Sequence, residues 1–426
     1  MPTLTPHPTR RRSLLQAGTA AGLGLLAPLA GLHLAGAATP GGPRLVLVIL
    51  RGGLDGLAAV PAIGDPAFAD ARGVLGRFAS PALPLDSLLS LHPALPGLHS
   101  LYGQGELLVL HATGLPYRDR SHFDAQQVLE SGGERPFVLD TGWLGRALAG
   151  NGHKGMAFQA AVPLVLRGHA GIDTWAPSSR PDPAPDLVAR LGRLYAQDAP
   201  LAAALARAQA LRADGVMPAA TSSATAPSNT STMASAQAGL PTSSATTPAR
   251  QAAPLLLARQ AAAFVAAPDG PQAAVLELGG WDSHANQAAD GGPLVNNLRL
   301  LDHTLAALRD GLTAPGTGDV WRRTVVLVVT EFGRTVAING TQGTDHGTGG
   351  AAFVLGGAVQ GGRVLADWPG LAPAQRNDGR DLRITTDLRA VFKTVLTDHL
   401  GLPGALVANT LLPGSSSLPR LALLRG

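Results

Sequence analysis

The chain has 426 residues, with 33 Lys and Arg against 29 Asp and Glu, a formal net charge of +4, and no cysteine. The lack of cysteine excludes disulfides, thiolate metal sites and cysteine nucleophiles. Three arginines fall in the first 37 residues, which hold no Lys, Asp or Glu, so the remainder sits near 4 − 3 = +1 and its charge gives no argument for nucleic acid.

The first element is a targeting signal. Arg10-Arg11-Arg12-Ser13-Leu14-Leu15 supplies paired arginines followed by apolar residues, an Ala/Leu/Gly-rich stretch runs to about Leu34, and Ala35-Gly36-Ala37 is a small-x-small cleavage site. Residues 1–37 therefore read as a removable twin-arginine export signal. The alternative is an uncleaved membrane anchor, against which the many glycines and the cleavage site argue. The expectations are the twin-arginine translocase as a partner during export, a periplasmic or otherwise extracytoplasmic location, and no stable membrane span after cleavage. The remaining 426 − 37 = 389 residues suffice for one large α/β domain or two smaller ones.

Short, continuous apolar runs then recur, each ending in glycine and polar residues. Residues 44–50 lead into Arg51-Gly52-Gly53-Leu54-Asp55-Gly56, and residues 107–110 lead to His111-Ala112-Thr113-Gly114. Residues 273–278 lead to Gly279-Gly280-Trp281-Asp282-Ser283-His284, residues 324–329 to Thr330-Glu331-Phe332-Gly333-Arg334, and residues 351–355 to Gly356-Gly357. Such runs lack strict alternation, as strands buried on both faces do. Helical patterns lie between them over 187–210 and 293–312, the latter with Leu298, Leu301, Leu305 and Leu308 on one stripe, and another begins at Thr386-Asp387. Residues 213–254 are almost wholly Ala, Ser, Thr, Pro and Gly and read as a flexible insertion between a first part of the domain, 38–212, and a second, 255–426. The fold class is α/β: a mostly parallel central sheet with helices on both faces, whose ligands bind outside the carboxyl ends of the strands.

Candidate chemistry gathers at those ends. Asp282 and His284, two residues apart after an apolar strand, can face one cation, and carboxylate with imidazole suits zinc, manganese or iron. The alternative is a loop Asp bound to backbone amides beside a surface His. Asp345-His346 sits in a Gly/Thr-rich loop, where a tight turn capped by Asp345 is the competing reading. Glu331 ends an otherwise uncharged strand; a surface pair with Arg334 is its plain alternative. Asp55 follows the first strand, where Asp-Gly also suits a turn. Residues 117–126 run from loop into helix. There Ser121 is either a helix cap or a nucleophile, with His122 or Asp124 beside the site. His303 and His399 read as packing or surface residues, and no phosphate-loop or dinucleotide fingerprint is present.

Five stretches, 50–57, 120–125, 280–286, 330–335 and 343–347, resemble a bacterial domain-of-unknown-function family of twin-arginine-exported proteins, placed in the alkaline phosphatase and sulfatase-like superfamily. The resemblance implies an alkaline phosphatase-like fold holding one or two metal ions at the strand ends and attacking phosphate or sulfate esters. By position, Asp55, Asp282, His284 and His346 match metal ligands, Glu331 stands where an Asp followed by His is usual, and Ser121 corresponds loosely to the nucleophile. The departures are the short Asp-to-His spacing and Phe332, which replaces an imidazole of a second metal site unless His122 or His111 supplies one.

The function expected is a metal-dependent hydrolase of anionic phosphate or sulfate esters. A divalent cation such as zinc, manganese or calcium would be held by Asp55, Asp282, His284, Glu331, Asp345 and His346. Ser121 or water would attack, and Arg51, Arg118 or Arg334 would offset substrate charge. The alternative is a non-catalytic periplasmic binding or assembly protein with a degenerate metal site.

Overall fold

The computed structural model describes residues 41–177, 183–213, 247–287, 289 and 291–425. The export signal read over 1–37 and residues 214–246 of the predicted insertion lie outside the described residues. The described residues belong to one compact unit.

The apolar runs form strands because each can bury both faces. Among the described residues, one sheet comprises β1 (Arg44–Leu50), β2 (Leu107–Gly114), β3 (Gly155–Ala157), β4 (Ile172–Thr174), β5 (Ala273–Leu278), β6 (Thr324–Thr330), β7 (Gly350–Leu355), β8 (Arg363–Leu365) and β9 (Thr386–Asp387). Their order is β8-β2-β7-β6-β1-β5-β3-β4, with β9 also paired to β2. In β1, Val46, Val48 and Leu50 enter one apolar core while Leu45, Leu47 and Ile49 enter the other. That is why the strand carries no polar alternation. β1 pairs in parallel with both β5 and β6.

Helices of the described residues include α1 (Gly56–Ala59), α2 (Pro96–Gly103), α3 (His122–Ser131), α4 (Trp143–Asn151), α5 (Pro185–Tyr195), α6 (Ala199–Ala213), α7 (Thr247–Ala266), α8 (Pro293–Thr313) and α9 (Leu388–Thr394), besides a short helical turn over Phe68–Arg72. α2, α7 and α8 cover one face, α8 through its buried stripe of Leu298, Leu301, Leu305 and Leu308. α3, α4 and α9 cover the other, where Trp143 stacks on Phe392 with ring centroids 4.8 Å apart. The single helix read over 187–210 is two. Asp198 accepts the Leu201 amide at 3.1 Å and Pro200 has no amide proton to give, so the chain breaks and restarts between α5 and α6. α7 begins at Thr247, inside the stretch read as insertion. No helix of the described residues is long and apolar enough to cross a membrane.

One topological feature positions the site. β7 runs antiparallel to both β2 and β6, whereas the other described pairings of this sheet are parallel. The chain leaving the carboxyl end of β6 therefore re-enters the sheet at that same edge, and residues 331–349 stay there, beside the ends of β1 and β5.

Candidate metal centre

Four segments meet at this edge: the turn after β1, the start of α3, the loop after β5, and the loop from β6 to β7. Their close approach depends on glycine. Gly52 has φ +120°, and a Cβ there would lie 2.6 Å from the Asp282 amide. No other residue fits.

At the centre stand three imidazoles and one carboxylate. His346 Nε2 lies 3.0 Å from His122 Nε2, 3.1 Å from His284 Nε2 and 3.2 Å from Asp282 Oδ1. His284 Nε2 lies 2.9 Å from Asp282 Oδ1, and His122 Nε2 3.5 Å from Asp282 Oδ2. His122, Asp282 and His346 present donor atoms all within 4.8 Å of one another, and His284 joins through two of them. Ligands about 2.0–2.1 Å from a tetrahedral zinc sit about 3.3 Å apart, so these spacings suit such an ion.

The other ring nitrogens are pinned. His122 Nδ1 is 2.8 Å from Glu331 Oε1, His284 Nδ1 is 3.1 Å from Asp345 Oδ1, and His346 Nδ1 is 2.9 Å from the Arg120 carbonyl. Each of these partners only accepts, so it can hold the proton of a neutral ring on Nδ1, the tautomer that turns an Nε2 lone pair inward for a cation. Three inward lone pairs beside a carboxylate repel one another until a proton or a cation stands between them. A carboxylate or carbonyl behind a metal-bound imidazole is the usual arrangement at metal sites.

Charge is set by the surroundings. His122 is raised above the ordinary histidine value, first by its hydrogen bond to Glu331, against the opposing effect of burial. Burial lowers His346. Burial alone would raise Asp282, but the hydrogen bond and charge of Arg334, whose Nη1 stands 2.5 Å from Asp282 Oδ1, hold it below the usual carboxylate range. Glu331 is likewise held low despite burial, by His122, Gln126 and the Gly52 amide. Phe332 lies against His122 and His346, with ring centroids 4.7 and 5.2 Å away, and walls the rings on one side.

The sequence candidates thus separate. Asp282, His284 and His346 meet at the donor cluster, and His122, read beforehand as a neighbour of the site or a substitute for the imidazole missing at Phe332, joins them. Glu331 and Asp345 are corrected from ligands to holders of His122 and His284. Neither is the surface pair or turn cap offered as alternatives. Asp55 is corrected as well: it is 1% exposed, its Oδ2 stands 2.6 Å from Arg72 Nη2 and also takes Gln287, and its Oδ1 accepts the Ala58 amide as the cap of α1. Neither oxygen is free for a cation. Arg51 is turned away from the cluster into Glu277 and Glu130, at 2.6 and 2.8 Å, and Arg334 is spent on Asp282 and Thr344. Ser121 caps α3, its hydroxyl 3.5 Å from the Asp124 amide. His111 is buried against the Val60 carbonyl and supplies no second imidazole site.

Sequence reasoning gave no sign of Arg120. It holds φ +60° while its guanidinium grips the buried Asp381 at 2.6 and 2.8 Å, and this conformation presents its carbonyl to His346. The left-handed conformation is costly for a side chain of this kind and persists because the ion pair holds it.

A family model described as "Protein of unknown function (DUF1501)" matches residues 104–410, which include the whole donor cluster. The chain belongs to that family. For DUF1501 the match leaves out β1 and Asp55 and takes in Arg120, His122, Asp282, His284, Glu331, Asp345 and His346. No curated protein matches the chain. Among solved structures, it is similar to Ps i-CgsB in complex with k-i-k-neocarrahexaose, at 11% identity, covering 88% of this chain and 75% of that one, with a TM-score of 0.41. It is also similar to the PsFucS1 sulfatase from Pseudoalteromonas sp., at 14% identity over 86% and 70%, TM-score 0.40. A third is the phosphonate monoester hydrolase of Agrobacterium radiobacter, at 12% identity over 85% and 74%, TM-score 0.40.

Proposed function

We propose that the chain is an exported, metal-dependent hydrolase of phosphate or sulfate esters, acting outside the cytoplasm. The observation that carries the metal is the set of three imidazoles, each pinned through Nδ1 and each turning Nε2 toward Asp282. The ester class follows from the sequence resemblance to the alkaline phosphatase and sulfatase-like superfamily.

His122, Asp282, His284 and His346 would hold the ion. Zinc suits imidazole with one carboxylate best, manganese less well, and calcium, which takes oxygen ligands, poorly. When bound, such an ion polarises an ester oxygen and lowers the pKa of a coordinated water. The protein's own groups do the rest. Glu331, Asp345 and the Arg120 carbonyl fix the rings. Arg334 balances Asp282 from a fully buried position and is not free to reach a substrate. Asp55 is paired with Arg72 and so is not offered to a second cation, which favours a centre of one ion. With the Ser121 hydroxyl turned to its own helix, the attacking oxygen is that of water.

A second reading, a non-catalytic metal-binding protein, is favoured by the Arg334–Asp282 contact, which occupies one carboxylate oxygen. Metal analysis of protein from its native compartment, followed by turnover of p-nitrophenyl phosphate and p-nitrophenyl sulfate with zinc, manganese or calcium, separates the two. One ion per chain with turnover, both lost in Asp282→Ala and retained in Ser121→Ala, supports the hydrolase. One ion without turnover supports the second reading, and absence of both removes the two together. A mature N-terminus at Ala38 tests export.

A further inference from the structure

A separate cavity of about 130 Å³ lies between the segment around residues 75–80, His92, and the first turns of α8. Its walls are apolar where Leu75, Phe78 and Leu294 line it, and its rim carries Arg77 and Arg299, both exposed. Among the described residues neither arginine forms an ion pair, and Arg299 has only a 3.4 Å contact to Asn296. Two exposed guanidiniums without a carboxylate partner thus stand at the rim of one apolar hollow.

His92 adds a third donor. It is 8% exposed, its Nδ1 accepts the Ala94 amide at 3.0 Å, and its ring meets Phe78 edge-on with centroids 5.1 Å apart. That acceptor role puts the proton of the neutral ring on Nε2, which has no partner among the described residues. Burial, aided by the charge of Arg299, holds His92 down at about 4, so the ring is a neutral donor at ordinary pH.

We infer that this cavity binds a small organic anion whose apolar body is the size of a single ring, with its carboxylate, sulfonate or phosphate held by Arg77, Arg299 and His92 Nε2–H. The size follows from comparison with an apolar cavity of about 150 Å³, which admits benzene. The anionic group follows from the two planar guanidiniums, which recognise oxyanions through paired N–H bonds. The site is independent of the metal centre. Gln287 lines the cavity but turns its polar atoms the other way, to Asp55, Ser283 and Thr344.

The test is a 19F NMR titration of the full mature chain with 4-fluorobenzoate, using 4-fluorobenzyl alcohol as the neutral control and a His346→Ala variant to remove binding at the metal centre. Saturable binding of the acid at one site is expected, unchanged in His346→Ala and weaker for the alcohol. Arg77→Ala with Arg299→Ala should weaken it at least about tenfold, as loss of charged hydrogen bonds does. Both arginines are exposed and unpaired, so the double variant should keep its circular dichroism spectrum and melting temperature. Absence of saturable binding, equal binding of the alcohol, or full affinity in the double arginine variant would overturn the assignment. So would binding that depends on His346.

Discussion

Replacing Asp55 separates a structural carboxylate from a metal ligand. Its side chain is 1% exposed and that of Arg72 is fully buried, with 2.6 Å between Oδ2 and Nη2. Asp55→Ala leaves the guanidinium with only the Thr335 and Val336 carbonyls, at 3.3 and 2.8 Å, and with no counter-charge. Removing one partner of a buried pair costs about 3–5 kcal/mol, and the lost cap on α1 adds to the upper end of that range. Against a total stability of about 5–15 kcal/mol this is a large fraction. Urea unfolding of metal-free protein, followed by tryptophan fluorescence, should show the midpoint falling sharply at unchanged slope. Metal-free conditions matter because a bound ion would itself stabilise the fold. The double variant Asp55→Leu, Arg72→Met removes both charges and should recover most of the loss, since an apolar pair of similar volume commonly replaces a buried ion pair at little cost. Asp55→Asn, folded at low temperature, should still bind its metal. A loss below about 1 kcal/mol, or metal lost from a variant of normal stability, would show that Asp55 faces a cation instead.

Asp381→Asn should weaken metal binding about 10–100-fold in chelator competition while leaving the four donor residues in place, because it frees Arg120 to leave its left-handed conformation and withdraw the carbonyl from His346. Metal affinity should rise with pH through the neutral range and level off above the raised value of His122, since the ion must displace the proton that Glu331 favours there; Glu331→Gln should move that break to lower pH. Acid should destabilise the fold through His111 and His92, which burial pushes down to about 4. Their depressed values mean that the unfolded chain takes up protons the folded one refuses. Stability is thus full above about 6.5 and falls as pH drops toward 4, by roughly 3 kcal/mol per group, and His111→Gln should flatten that fall in urea midpoints measured across the range.

β1, β2, β5, β6 and β7 could be read from the sequence because they are buried on both faces, and an unbroken apolar run is the direct mark of that environment. β3, β4, β8 and β9, two or three residues long and mostly only half-buried outside β3, carry no such run and could not be read. The clustering of Asp282, His284 and His346 could be read from their place after such runs. What could not be read was which oxygen faces inward. Glu331 and Asp345 are as acidic as Asp282, yet they stand behind imidazoles, a distinction set by one ring width and by rotamer. His122 could be read as an imidazole near the site but not as a member of the same donor set as Asp282 and His346: a serine at a helix start announces a cap, the cap is real, and only the fold shows that the next residue is a donor there. Asp55 looked like a ligand because Arg72, lying 17 residues on in a short helical turn, carries no motif that predicts a buried pair.

Anomalous diffraction at the zinc edge, on crystals of protein taken from its native compartment, puts the account to its sharpest test. One peak is expected, within bonding distance of His122 Nε2, Asp282 and His346 Nε2, with none beside Asp55. A protein fully folded and free of metal at that position, or a peak held by Glu331 and Asp345 directly, would overturn it.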